Sequence, residues 1–369
     1  MNSKKNELTI FMPSLHVGGA EMVVIRLLEG MVAKGVKIDL VLATSYGELR
    51  NSIPEEVNVI DLNCSRTIYS VFKLARYLKN KKPAKLLSHL QRANRIAILG
   101  KIISRVNTEI YLVSHTTVSS ANKNSSFVHK LLSIISYKIL YKKATKLIHV
   151  SNDAARDLEK ELRLVKDSIS VIYNPIVTKS MLNGIHNSPP HPWLKNKSKP
   201  VVLSAGGLRP VKRFDILIDA FYEMQKNIDA KLILLGDGEL RGELIKRISY
   251  YKIDDKVYLP GYVDNVYDYM AYATVFVLSS QREALPTVLV EAIACGCTVV
   301  STDCRYGPSE ILDDGKYGFL VPVNDHLQLS KTIEKAINNP LSKNKLKNRA
   351  KDFTVEQSTD NYLRELNII

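Results

Sequence analysis

The sequence predicts an α/β protein built from two doubly wound, parallel-sheet domains. Three observations carry that expectation. The chain has 369 residues, enough for two domains of about 150–200 residues each and too many for one ordinary core. Short apolar runs alternate with helical patterns along its length, the signature of parallel strands joined by crossover helices. The alternation also breaks off at a proline-rich stretch and then starts again.

In the first half the apolar runs are Leu8–Met12, Ile38–Ala43, Val57–Leu62, Lys85–His89, Ile110–Ser114 and Lys146–Val150. In the second they are Val201–Ala205, Ala230–Leu235, Val257–Leu259, Val275–Leu278, Thr298–Ser301 and Gly318–Val321. Between the two sets, the segment from Asn187 to Pro192 has three prolines in four residues, which neither a helix nor a central strand accommodates. Residues 1–185 are therefore expected to form one domain and 186–354 the other. A polar helical region runs from Asp325 to Lys351, and a last helix, 355–369, could pack on either domain.

Hydrophobic residues make up 45% and charged residues 24% of the chain, a soluble composition, and no apolar stretch approaches the roughly 20 residues a membrane span needs. The apolar run near the N-terminus is short and broken by Pro13, so it reads as a first strand and not a signal peptide. Cys64, Cys295, Cys297 and Cys304 lack paired CxxC spacing, which suits a reduced, cytoplasmic protein.

The net charge of +15 is unevenly placed: residues 1–175 hold 27 Lys+Arg against 14 Asp+Glu, whereas 176–369 hold 25 against 23. No acidic residue falls between Glu109 and Asp153, a window that contains Lys130, Lys138, Lys142, Lys143 and Lys146. Phe127, Leu131, Ile134, Ile135 and Ile139 recur there at helical spacing, with Lys138, Lys142 and Lys146 as a basic row. An amphipathic basic helix suits an anionic membrane face. Nucleic acid is not expected, because stacking aromatics and a reading motif are missing.

Two segments point to chemistry. After the first strand, Gly18-Gly19-Ala20-Glu21 opens an apolar helix; glycines at such a turn let a phosphate or sugar approach backbone N–H groups at a positive helix N-terminus. After Val275–Leu278, the stretch Ser279 to Gly296 holds Glu283 in a loop and Glu291 two turns into a helix that begins near Pro286. The N–H groups of Leu285, Thr287 and Val288 would meet an anion at the helix dipole. The apolar neighbours of Glu291 imply partial burial, and a buried carboxylate needs partners such as ribose hydroxyls. His115 ends a strand at the carboxyl edge, where open α/β sheets bind ligands.

With these segments in place the chain resembles glycosyltransferase family 4, of GT-B architecture. The resemblance spans nearly the whole chain. It is carried by Gly18-Gly19-Ala20-Glu21, Ser114-His115, Tyr173-Asn174-Pro175, Gly206–Phe214, Leu235-Gly-Asp-Gly-Glu239, Gly261-Tyr-Val, the Glu283/Glu291 segment, and Gly307-Pro-Ser-Glu310 with Asp314-Gly and Gly318. It implies two Rossmann-like domains facing across a cleft and retaining transfer from a UDP-sugar, without metal or other cofactor. Glu291 would bind the donor ribose, Glu283 would lie beside the transferred sugar, and His115 would face the donor sugar and acceptor. Lys212 would clamp the diphosphate beside Gly206 and Gly207. Gly207 stands where the family usually has an arginine, and Arg209, two places on, is the candidate substitute.

There is no Asp-x-Asp in the chain, the usual carboxylate pair for a divalent metal on a donor diphosphate. Fixed cations and a helix N-terminus would then stabilise the leaving group. The expected activity is transfer of a hexose or N-acetylhexosamine to a lipid-linked saccharide or surface-polysaccharide acceptor at the cytoplasmic membrane face, by a peripherally attached protein. A nucleotide-sugar-binding protein or an epimerase on the same fold is the alternative.

Overall fold

The structure is a computed structural model that describes residues 6–369 apart from 17, 116–137, 187, 197 and 284. The chain divides into two compact units: residues 1–175 with 355–369, and residues 176–354.

Unit 1 contains β1 (Glu7–Met12), α1 (Gly19–Ala33), β2 (Lys37–Leu42), β3 (Asn58–Asp61), α2 (Ser70–Lys81), β4 (Lys85–His89), α3 (Gln91–Ser104), β5 (Glu109–Ser114), β6 (Lys146–His149), α4 (Asn152–Leu162) and β7 (Ile169–Val171). Its strands lie in the order β3-β2-β1-β4-β5-β6-β7, and every pairing is parallel. Helices on both faces explain why Leu8, Ile10, Phe11 and Met12 are all buried. The two-residue strand period divides them: Leu8, Ile10 and Met12 join one core layer, and Phe11 joins the other with Val41, Leu86 and Ile110. β7 leaves no clear signal in the sequence, because three residues preceded by Asp167 and Ser168 give too short an apolar run to read.

Unit 2 contains β8 (Val201–Ala205), α5 (Phe214–Met224), β9 (Lys231–Leu235), α6 (Arg241–Tyr250), β10 (Val257–Gly261), α7 (Val266–Tyr272), β11 (Val275–Leu278), α8 (Thr287–Ala294), β12 (Thr298–Thr302), α9 (Pro308–Leu312), β13 (Phe319–Val321), α10 (His326–Asn338) and α11 (Lys343–Ala350). Its parallel strands lie in the order β10-β9-β8-β11-β12-β13. The polar helical region from Asp325 to Lys351 consists of two helices, α10 and α11, because Pro340 cannot continue α10.

The units divide earlier than the 185/186 boundary expected from the prolines. Ile176 and Val177 both donate their N–H to Phe353 O, and His186 is held by Asp268 through its backbone N–H and ring Nδ1. Residues before the proline stretch are thus already bonded within unit 2. The chain returns to unit 1 as α12 (Val355–Glu365). α12 packs on α1, where a side chain at Gly30 would meet Thr359 Oγ1, and its Tyr362 and Leu363 enter the same core layer as Ile10.

Glycine is required where the loops after β8 and β9 meet. Gly206 donates to Leu235 O, Leu208 donates to Asp237 O and Leu240 donates to Leu208 O, at 2.9, 2.9 and 3.1 Å. A Cβ on Gly236, whose φ is +117°, would stand 2.1 Å from Gly206 O, and one on Gly238 would stand 2.7 Å from Leu208 O. Gly236→Ala combines a disfavoured φ with a backbone clash. It is expected to cost about 1–3 kcal/mol in denaturant unfolding of the whole chain, whereas Gly242→Ala, with open space around it, should be near neutral.

Candidate functional site

Both sheets reverse their winding beside their first strand: β8 lies between β9 and β11, and β1 between β2 and β4. Because all strands are parallel, the loops leaving these neighbours gather at one edge, the position where open α/β sheets bind ligands.

In unit 2 the loops after β8 and β11 are joined at that edge. Lys212 Nζ donates to Glu283 Oε1 at 2.7 Å, and Ser280 Oγ donates to the same oxygen at 2.6 Å. Ser279 Oγ donates to Lys212 O and Gln281 N to Val211 O, both at 2.8 Å. The Glu283 backbone is tied in turn to the loop after β12, through N–H to Arg305 O and from Tyr306 N–H. The lysine and glutamate are mostly enclosed, with side chains 24% and 13% exposed. A paired lysine at this depth is held in one orientation, and the second carboxylate oxygen, Oε2, keeps its lone pairs for another donor.

The remaining unit 2 residues singled out from sequence line the same edge. Gly206 has φ +156°, and Gly207 is half-buried. Arg209 is exposed and its side chain folds back over Gly207: Nε lies 3.6 Å from where a Cβ at position 207 would stand. α8 begins at Thr287 with Pro286 as its N-cap and no capping side chain, and there is no acidic residue in its first turn. Its first N–H groups, with Thr287 and Val288 half-buried and Leu285 buried, keep an anion-attracting end. Glu291 is half-buried one turn further along α8.

In unit 1, Gly18 is the extended N-cap of α1, also without a capping side chain, and a Cβ on Gly19 would meet open space. His115 follows β5 and is 8% exposed. Burial, with His149 nearby, pushes its pKa down to about 3. Its Nε2 lies 3.1 Å from Nδ1 of His89, which is fully buried and is likewise held neutral by burial. His149 accepts from Ser151 N–H through Nδ1. Sequence reasoning singled out only His115 of these three. The available signal was positional, since His89 closes an apolar run and His149 stands one residue before the end of another, much as His115 follows one.

The expected lysine row is corrected. Residues 138–141 are helical, but the helix ends there; Lys142 and Lys143 occupy the following turn and Lys146 opens β6, where it pairs with Glu365 at 3.7 Å. Thr145 Oγ1 accepts from Ile110 N–H, so docking of β6 beside β5 overrides helical continuation. Lys130 lies outside the described residues. Lys142 and Lys143 are exposed, as is Ile139 at 61%.

Two parallel sheets wound in this way, each with its loops gathered at the carboxyl edge, are the architecture of the GT-B fold. A model of "Glycosyltransferase Family 4" matches residues 17–180, and one of "Glycosyl transferases group 1" matches residues 190–353. The chain belongs to glycosyltransferase family 4. A Campylobacter jejuni protein named N-acetylgalactosamine-N,N'-diacetylbacillosaminyl-diphospho-undecaprenol 4-alpha-N-acetylgalactosaminyltransferase is 31% identical, over 94% of this chain and 95% of that protein. A second C. jejuni protein, named as an alpha-1,4-N-acetyl-D-galactosaminyltransferase acting on a GalNAc-containing diphospho-undecaprenol, is 26% identical over 97% of each chain. The fold is shared with Anabaena HepE in complex with UDP, at TM-score 0.76 and 20% identity, over 99% of this chain and all of that one.

Buried His89 and His115 set a pH dependence. Their folded-state pKa values lie below the ordinary value of 6.5, so the unfolded chain takes up protons first as pH falls. The stability they contribute is complete above about pH 6.5 and is lost as the pH drops from there toward 3. Denaturant unfolding at pH 7, 6 and 5 should show falling stability, with a shallower fall in His115→Asn.

Proposed function

We propose that the chain is a metal-independent, retaining glycosyltransferase that moves an N-acetylhexosamine or hexose from a UDP-sugar to a lipid-linked saccharide or surface polysaccharide at the cytoplasmic membrane face. The observation that carries this reading is the joined edge of unit 2, where a fixed lysine, a shared carboxylate and an uncapped helix N-terminus converge on one sheet edge. In this reading Lys212 and Arg209 meet the donor diphosphate, and the N–H groups of Leu285, Thr287 and Val288 complete its cradle. Arg209, lying over Gly207, supplies the guanidinium that the family usually places at 207.

Glu291 accepts from the ribose hydroxyls, as carboxylates do with diols. Glu283 has one oxygen committed to Lys212 and Ser280 and offers the other to a sugar hydroxyl. Fixed cations take the charge that develops on the departing diphosphate. Its phosphate oxygen accepts the proton of the acceptor hydroxyl as that hydroxyl attacks from the same face, and configuration is retained. The names of the two Campylobacter relatives support an amino-sugar donor and a polyprenyl diphosphate-linked acceptor.

Calorimetric titration with UDP, GDP and ADP in the presence of chelator tests the donor site. UDP should bind without metal, and Glu291→Ala should weaken it by about 1.5–3 kcal/mol, roughly ten- to a hundredfold. Equal binding by a folded Glu291→Ala variant would remove Glu291 from the site.

Membrane attachment is supported by exposed apolar side chains next to cations. Ile68, Tyr69, Phe72 and Ile139 are 57–70% exposed, and from residue 62 to 152 Glu109 is the one acidic residue. No helix among the described residues is long and apolar enough to cross a membrane. The protein should sediment with vesicles containing anionic phospholipid at low salt and be released as salt rises, and Phe72→Ser should weaken that binding.

A further inference from the structure

His89 ends β4 and is fully buried. A fully buried imidazole desolvates two ring nitrogens that Leu or Phe would not bring, and such a group is tolerated where its hydrogen bond is used. Among the described residues its one hydrogen-bond partner is Nε2 of His115, 3.1 Å from its Nδ1. The rings lie 5.4 Å apart between centroids with planes 29° apart. Tyr362 of α12 also approaches His89, 6.3 Å between ring centroids. Among the described residues, His89 Nε2 is buried with no hydrogen-bond partner.

Two proton arrangements satisfy the contact between the two histidines. If His115 donated from Nε2, His89 would have to carry its own proton on Nε2, a buried N–H with no acceptor. If His89 donates from Nδ1, the unpartnered atom is a bare lone pair. Orphaned buried N–H groups are rarer than under-satisfied acceptors, so the second arrangement wins. A neutral His115 that accepts at Nε2 must then hold its proton on Nδ1.

We propose that His89 is a positioning residue that fixes the tautomer of His115, so that His115 presents an N–H donor, and not a lone pair, at Nδ1. The proposal rests on the reading of His115 as a residue that meets the sugars. It assigns His115 the work of donating a hydrogen bond to a sugar hydroxyl or an N-acetyl carbonyl oxygen. It also removes His115 from the role of base toward the acceptor hydroxyl. Burial keeps both rings neutral at physiological pH, so the tautomer does not scramble through a shared imidazolium. Among the described residues no group of three His, Cys, Asp or Glu could hold an ion.

The test is nitrogen-15 NMR of the full chain labelled at histidine, with His115→Gln to assign the His115 signals. The expected result is that His115 is protonated at Nδ1 in the wild type, that His89→Leu shifts the proton toward Nε2, and that His89→Asn restores it. The Asn amide can place an N–H where His89 has Nδ1. Transfer assayed on the same proteins should lose about ten- to a hundredfold in kcat for His89→Leu, with donor KM unchanged, and recover in His89→Asn.

Protonation of His115 at Nε2 in the wild type overturns the proposal. So does a folded His89→Leu protein with the wild-type tautomer and wild-type kcat. Should His89→Leu not fold, the wild-type and His89→Asn spectra decide. The spectra need no turnover: the expected tautomers in a chain that transfers from no UDP-sugar would sink the proposed function and leave the histidine pair as described.

Discussion

Every strand of both sheets runs parallel to its neighbours, and the placement of the chemistry depends on that. Parallel pairing requires a crossover connection between successive strands, most of them helical here, so in each unit all carboxyl ends, and the loops leaving them, emerge on one edge of its sheet. The winding reverses at β8 in one unit and β1 in the other, which leaves a gap between diverging helices at that edge. Gly18, His89 and His115 sit along it in unit 1; Gly206, Lys212, Glu283 and α8 sit along it in unit 2. Residues as distant in sequence as Lys212 and Glu283 come within hydrogen-bond reach because β8 and β11 are neighbours.

The edge of unit 2 is made rigid by backbone contacts more than by side chains. The loop after β8 is sandwiched between that after β9, against which it packs through Gly236 and Gly238, and that after β11, which it meets through Ser279 and Gln281. Lys212 and Glu283 therefore hold their pairing on two loops already fixed by main-chain hydrogen bonds. That is the preorganisation an electrostatic site needs if the charge of a leaving group is to be met without rearrangement.

Much of this was legible in the sequence because it depended on period and punctuation. Buried parallel strands announce themselves as runs such as Val201–Ala205, and turns announce themselves as glycines. What was not legible depended on pairing. β7 is too short to carry a period and exists because β6 offers it an edge. The lysine row ended at Tyr141 because the next residues are drawn into the sheet. The partner of Lys212 could not be read from a sequence in which Glu283 lies far downstream. The part played by His89 is hidden for the same reason: a histidine at the end of a strand looks alike whether it touches another histidine or a backbone carbonyl.

The return of α12 to unit 1 has a consequence for how the protein is made. Unit 2 is one continuous stretch of chain and can complete its core as soon as residue 354 has left the ribosome. Unit 1 is begun first but lacks Tyr362 and Leu363 from its innermost layer until the residues after 354 have also emerged. The domain synthesised first is thus the domain finished last, and in the interval the apolar face of α1 around Gly30 stands uncovered, a binding opportunity for a chaperone during every round of synthesis.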